Sequence, residues 1–446
     1  MHQAYQPTAG YAVPAYEQHP RFPAMPASPE EWRYQPPAAP SWWHRHSRTL
    51  RALAVVAVLV LCGLVILLLV RKQTGTEGLL VGLALAILPV PLLVAALRWV
   101  DSVHPARWRN HAFAFAWGAC AATLVALIAN TLTAEWLATS VLPNAPQRAD
   151  TIGAVAVAPL VEESVKAAPV LLLFLFRRER FNGVVPCLVA AGISATGFAF
   201  TENVLYLGSA YGEDSIVDPQ RIGQSVTAAT FLVRIVFSPF AHPLFTSMTG
   251  MGLGVAALLP RHRRVLRVLL PVAGFLTAAA LHAIWNGAAT VAGGAFLVVY
   301  ALFMLPVFAL VTWLAIWSRQ NQLKSIRATL PAYAAAGWLS PPEAWALGSM
   351  RARAGARTLA RRTGGVPAVR AVVEYQHFAT ALALLRVRAE GGAAPADFAA
   401  REQELLHHMW RRRPAAGPPT EASAFSAALR PAPAPYYPPP PPGAWR

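Results

Sequence analysis

Long apolar runs, most of them about the length of a bilayer-spanning helix, alternate with short polar connections over the middle of the chain. They fall at 50–70, 79–98, 112–132, 154–176, 184–208, 226–259, 265–292 and 294–317. A helix needs ~20 residues to cross the hydrocarbon core. The pattern predicts about eight transmembrane helices, so the expected fold class is all-α, a polytopic helix bundle over 50–317. Residues 1–49 are Pro-rich, with too little aliphatic content for a core, and read as disordered. At their end, Trp42 and Trp43 beside Arg45 and Arg48 form an aromatic and basic flank suited to the membrane interface. Beyond Trp317 the apolar pattern stops, and 318–413 reads as a partly helical tail. Within it SPPE at 340–343 is a helix start, with Ser340 as N-cap, Pro341 in the first turn and Glu343 closing a capping box. The segment VVEYQHFATALALLRVRAE is amphipathic at helical spacing. Residues 414–446 end in polyproline and read as disordered, either a spacer or a ligand for a proline-reading partner.

Composition agrees with a membrane protein. Of 446 residues 55% are hydrophobic and only 13% charged, a balance that would demand an outsized core in a soluble chain. The net charge of +17 does not point to nucleic acid, because the arginines sit mainly in connections and in the C-terminal tail. The lipid bilayer is the expected partner. RWVDSVHPARWRN, RRER and RHRRVLR are basic, whereas the stretches near Glu135–Asp150 and Glu213–Asp218 are neutral or acidic. Basic connections mark the cytoplasmic side, which also puts both termini there. Arg71 and Lys72 dissent, falling in what would be an external connection. Cys62, Cys120 and Cys187 lie singly in apolar runs and read as packing residues.

Four of the apolar runs carry polar groups that lipid would reject. AVAPLVEESVKAAPVLLLFLF (156–176) holds Glu162, Glu163 and Lys166; GFAFTENVLYL holds Glu202 and Asn203; SPFAHPLFTSMTG holds His242; LHAIWNGA holds His282 and Asn286. A charge at the bilayer centre costs about 2.5–3.5 kcal/mol even on a lenient insertion scale, so these groups are expected to face a common interior. Helical spacing permits it, since Glu162 and Lys166, like His282 and Asn286, are four apart and share a face. Pro159, Pro169, Pro239 and Pro243 flank the motifs and supply bends that only neighbouring helices or a wet cavity can satisfy. No nucleophile elbow, HExxH or Gly-rich phosphate loop is present. What remains is water activated by a glutamate, with a histidine and an asparagine as oxyanion donors. The alternative is a transporter or a proton- or cation-conducting protein using the same Glu and His residues. Asn286 one turn after His282 and the lack of inverted repeats favour hydrolysis.

The ordered motifs EESVK (162–166), FAFTEN (198–203), HPLFTSMTGMGLG (242–254) and HAIWN (282–286) resemble the PrsW family of intramembrane proteases, grouped with the CAAX prenyl endopeptidases and bacteriocin-processing enzymes. The resemblance runs over about 90–320. The family's glutamate pair with a following basic residue falls on Glu162, Glu163 and Lys166; its F-x-x-x-E on Phe198 and Glu202; its membrane histidine on His242; its H-x-x-x-N on His282 and Asn286. This implies a membrane-embedded peptide hydrolase. Glu162 would be the base, Glu202 or His242 would hold the water, and His282 with Asn286 would receive the oxyanion. Glu163 and Lys166 would orient the first glutamate, with Phe198 and Asn203 in support. No cofactor is expected; were zinc used, its ligands would be His242, His282 and Glu162. The implied partner is a membrane-associated protein substrate, which in the namesake branch is an anti-sigma factor.

Overall fold

The computed structural model describes residues 22–32, 34–36, 41–176, 183–216, 225–260, 262–290 and 295–428, and among these every regular element is helical. Two compact units emerge, one made of 37–321 with 391–393, the other of 1–36, 322–390 and 394–446. The first unit runs through α1 (Trp42–Ala86), α2 (Val90–Val100), α3 (Trp108–Ala116), α4 (Thr123–Trp136), α5 (Pro146–Ile152) and α6 (Ala158–Phe176). It continues with α7 (Val184–Ile216), α8 (Val226–Phe231), α9 (Ala241–Leu258), α10 (Arg264–Thr290), α11 (Ala295–Val299) and the start of α12 (Leu305–Ala335). Among the described residues five π stretches adjoin these helices, at Trp117–Ala122, Leu137–Val141, Gly153–Val157, Leu232–Phe237 and Tyr300–Met304.

Among the described residues six helical spans are long and apolar enough to cross a membrane: Thr49–Val103, Trp108–Val141, Val184–Asp214, Val226–Leu258, Arg264–Ala289 and Phe296–Ala335. The count of eight is therefore approximate, for two physical reasons. The first two apolar runs lie in one 55-residue span, and α6 is excluded by its own three charges. Arg71 and Lys72 sit inside α1 rather than in an external loop, and the helix bends after them at Gly75, whose φ of 73° suits a residue without Cβ.

At the centre stands α7. Its most apolar window is 83% buried, against 39% or less in the other five spans, whose leucines and valines face outward. Small residues let α7 come this close to its neighbours. A Cβ on Gly118 would lie 1.8 Å from the Ser194 carbonyl, and one on Gly197 2.1 Å from the Phe115 carbonyl, so these helices cross backbone to backbone.

In α6 the polar stripe points in: Glu162, Glu163, Lys166, Val170 and Leu173 are buried, whereas Leu160, Leu171 and Phe176 are exposed. Pro169 removes the N–H that the Val165 carbonyl would accept. The Trp117 indole N–H replaces it at 2.9 Å, and on α7 the Ser194 hydroxyl donates to the Lys166 carbonyl, also at 2.9 Å. The helix that carries the glutamates is thus braced on both sides of its proline.

The second unit packs α13 (Pro341–Leu347), α14 (Met350–Glu390, bent at Gly365) and α15 (Phe398–Ala428). Ser340 and Glu343 form the expected capping box. The amphipathic segment of α14 buries Val372, Tyr375, Ala379, Leu382 and Ala383, so its stripe packs within the protein. Glu402 accepts from both Tyr333 and Arg386. Arg353, pushed down to about 10 by burial and by Arg357, donates to the Leu347 carbonyl and to Thr380. Within the Pro-rich N-terminal segment, Phe22 packs edge-on against Tyr333 and Trp32 against Trp338. The helix α15 carries Pro414, Pro418 and Pro419 and runs to Ala428. Residues 1–21 and the polyproline end lie outside the described residues.

Candidate active site

Four helices bring the polar motifs together. From α6, Lys166 Nζ donates to Glu162 Oε2 at 3.1 Å, to Glu163 Oε1 at 3.0 Å and to Nδ1 of His242 on α9 at 3.0 Å. An ammonium has three N–H bonds, and all three are used here. The Lys166 side chain is fully buried, and Nζ also lies 4.1 Å from the centre of the Phe198 ring. Glu163, fully buried too, accepts from Thr246 at 2.7 Å and pairs with His282 Nδ1 at 3.1 Å. Glu162 keeps 6% exposure, with His282 Nε2 3.7 Å from its Oε2. The two imidazoles meet edge to face, 5.1 Å between ring centres, and Phe245 stacks on His282.

The network fixes the His242 tautomer. Lys166 can only donate, so Nδ1 of His242 accepts and Nε2 carries the hydrogen, which it gives to Glu202 Oε2 at 2.8 Å. Glu202 on α7 takes a second donor on the same oxygen, Arg234 Nη2 at 2.6 Å, while Arg234 Nε reaches Asn203 Oδ1 at 2.8 Å and the guanidinium lies 3.8 Å from the Tyr206 ring centre. Sequence reasoning missed Arg234, although it is the single Arg or Lys in the span 226–258. Asn130 and Thr246 were missed as well. Thr246 lies four residues after His242, on the same helix face, and Asn130 Nδ2 donates to Glu162 Oε1 at 3.3 Å from α4.

Asn286 takes a different partner from the cluster. Half-buried on α10, it donates to the Ala154 carbonyl at 2.9 Å. Ala154 belongs to the π stretch Gly153–Val157 that leads into α6. Two further π stretches supply Trp117, which donates to α6, and Arg234, in keeping with the tendency of such bulges to sit at functional sites.

Glu162, His242 and His282 offer donor atoms within 4.8 Å of one another, all buried, and form a group that could hold a metal ion. The donor chemistry fits zinc: each histidine turns one ring nitrogen to an outer carboxylate, His282 to Glu163 and His242 to Glu202, as ligating histidines do. The Lys166 ammonium lies against two of the same three groups.

Three carboxylates, two histidines and a lysine thus form one buried cluster inside an apolar helix bundle. Residues 106–311, which include all four helices of the cluster, match the family model described as PrsW family intramembrane metalloprotease. Over those residues the chain is similar to that family, and it is a membrane protease. No curated protein and no solved structure matches.

Proposed function

We propose that the chain is an endopeptidase that hydrolyses a peptide bond in a membrane-associated protein, with water activated by Glu162 and no resident metal. The observation that carries this reading is Lys166, whose ammonium already supplies the positive charge between Glu162, Glu163 and His242. A divalent ion a few ångströms away would meet a repulsion of several kcal/mol, even at an effective dielectric of about 20. Glu162 is the base because it is the less enclosed of the two adjacent glutamates; Glu163, held by Lys166, Thr246 and His282, orients them. His282 lies beside Glu162, and with Nδ1 given to Glu163 its Nε2 would donate to the oxyanion from the doubly protonated ring. Asn286 braces the π stretch ahead of α6 instead of joining it. Glu202 and Arg234 hold His242 in one tautomer. Were zinc bound, Glu162, His242 and His282 would hold it and it would polarise the scissile carbonyl.

The substrate class follows from burial: a bond reaching a site inside the bundle belongs to a segment in or beside the membrane. The test is co-expression with a tagged single-pass membrane protein, comparing wild type with Glu162→Ala, Glu163→Ala, His242→Ala and His282→Ala. Loss of the cleaved fragment in these variants is expected; equal cleavage by all four would overturn the proposal. Activity of the purified protein should survive a chelator, and loss restored by zinc would contradict the metal-free part.

A further inference from the structure

Asn130 stands on α4, opposite the base. Its Nδ2 donates to Glu162 Oε1 at 3.3 Å. Its Oδ1 is shut off from solvent and meets no hydrogen-bond donor among the described residues. Turning the amide over does not cure this, because Oδ1 would then oppose a carboxylate oxygen, acceptor against acceptor. Glu162 shows the matching gap. Its Oε2 is taken by Lys166, with His282 Nε2 beyond at 3.7 Å, whereas among the described residues Oε1 meets only the long contact from Asn130. Two neighbouring acceptors, one of them wholly orphaned, ask for a small molecule with two donors.

We propose that Asn130 is a catalytic residue which, together with Glu162, holds the hydrolytic water; this rests on the hydrolase reading above. The water gives one hydrogen to Asn130 Oδ1 and the other to Glu162 Oε1, which leaves a lone pair for the scissile carbonyl. On attack the new C–O bond forms and Glu162 takes the water's proton. When the C–N bond breaks, Glu162 delivers that proton to the leaving nitrogen, so a carboxyl group and an amine result with nothing left over. Without Asn130 the water would have a single anchor, and its attack angle would be free.

The experiment pairs a high-resolution structure of the full chain in lipid with kinetics on a tagged single-pass membrane protein. Wild type should show an ordered water within hydrogen-bond distance of both Asn130 Oδ1 and Glu162 Oε1, and Asn130→Leu should lack it. Asn130→Leu should lose about 100-fold in kcat with KM nearly unchanged, the split expected when ground-state binding is intact. Should the leucine variant fail to fold, Asn130→Ser takes its place, with the same loss expected because the shorter hydroxyl reaches one anchor only. Wild-type kcat in a folded variant, or a protein group found donating to Oδ1, overturns the assignment. A chain that cleaves but holds no water there sinks the role of Asn130 alone. A chain that holds the water but cleaves nothing sinks the hydrolase reading and this role with it.

Discussion

Lys166 Nζ lies 3.0 Å from Nδ1 of His242, 76 residues along the chain, and this contact joins the glutamate helix to the histidine helix. Because Lys166 balances two buried carboxylates, its loss should act on stability before chemistry. Lys166→Met should cost about 3–5 kcal/mol, the usual result of leaving a buried charge uncompensated. The double variant Lys166→Met/Glu163→Gln should recover part of it, as coupled partners do. Thermal unfolding of the purified protein in detergent checks both; an unchanged midpoint in the single variant would contradict the assignment.

Arg234 tests the outer part of the network. Arg234→Met leaves Glu202 with His242 as its remaining ion-pair partner and should lower the cleavage rate about 10–100-fold, the usual effect of removing a group that orients a site histidine. Arg234→Lys should fall between, since a compact ammonium keeps the charge but lacks the planar fork by which Nη2 reaches Glu202 and Nε reaches Asn203. Rates and thermal midpoints of the two variants decide the matter. Equal rates in both, with the fold intact, would remove Arg234 from the site.

The close crossings at α7 predict a sharp contrast among glycines. Gly118→Ala and Gly197→Ala force a methyl to within about 2 Å of a carbonyl oxygen, so each should destabilise the bundle by at least about 1–3 kcal/mol. Gly287→Ala meets only Val155 methyl groups at 3.7 and 4.0 Å and should be neutral. A thermal shift assay on the three variants is sufficient.

The sequence made the cluster legible because Glu162, Glu202, His242 and His282 are costly in lipid, so their presence on separate apolar runs demanded a shared interior. Asn130 and Thr246 escaped because a lone Asn or Thr in an apolar helix costs little and commonly bonds its own backbone. Arg234 was readable as the one cation in its span, yet its partner lies 32 residues away, a pairing that periodicity does not carry. The bundle followed from run lengths, and the capping box at Ser340 from local chemistry alone. Arg71 and Lys72 misled, since charges usually mark connections; inside α1 they remain exposed, Arg71 against Thr76. The bond from Asn286 to the Ala154 carbonyl was not legible either, because a π stretch has no signature in residue type.

The central claim is that Glu162 activates the water. Its most direct test is the cleavage rate of purified Glu162→Gln protein in lipid nanodiscs, on a single-pass membrane protein that the wild type cuts, with thermal unfolding as the control for folding. The amide keeps the shape but cannot accept the proton, so the rate should fall by about 10²–10⁴-fold while the fold persists. A folded Glu162→Gln protein that cleaves at the wild-type rate would contradict the account.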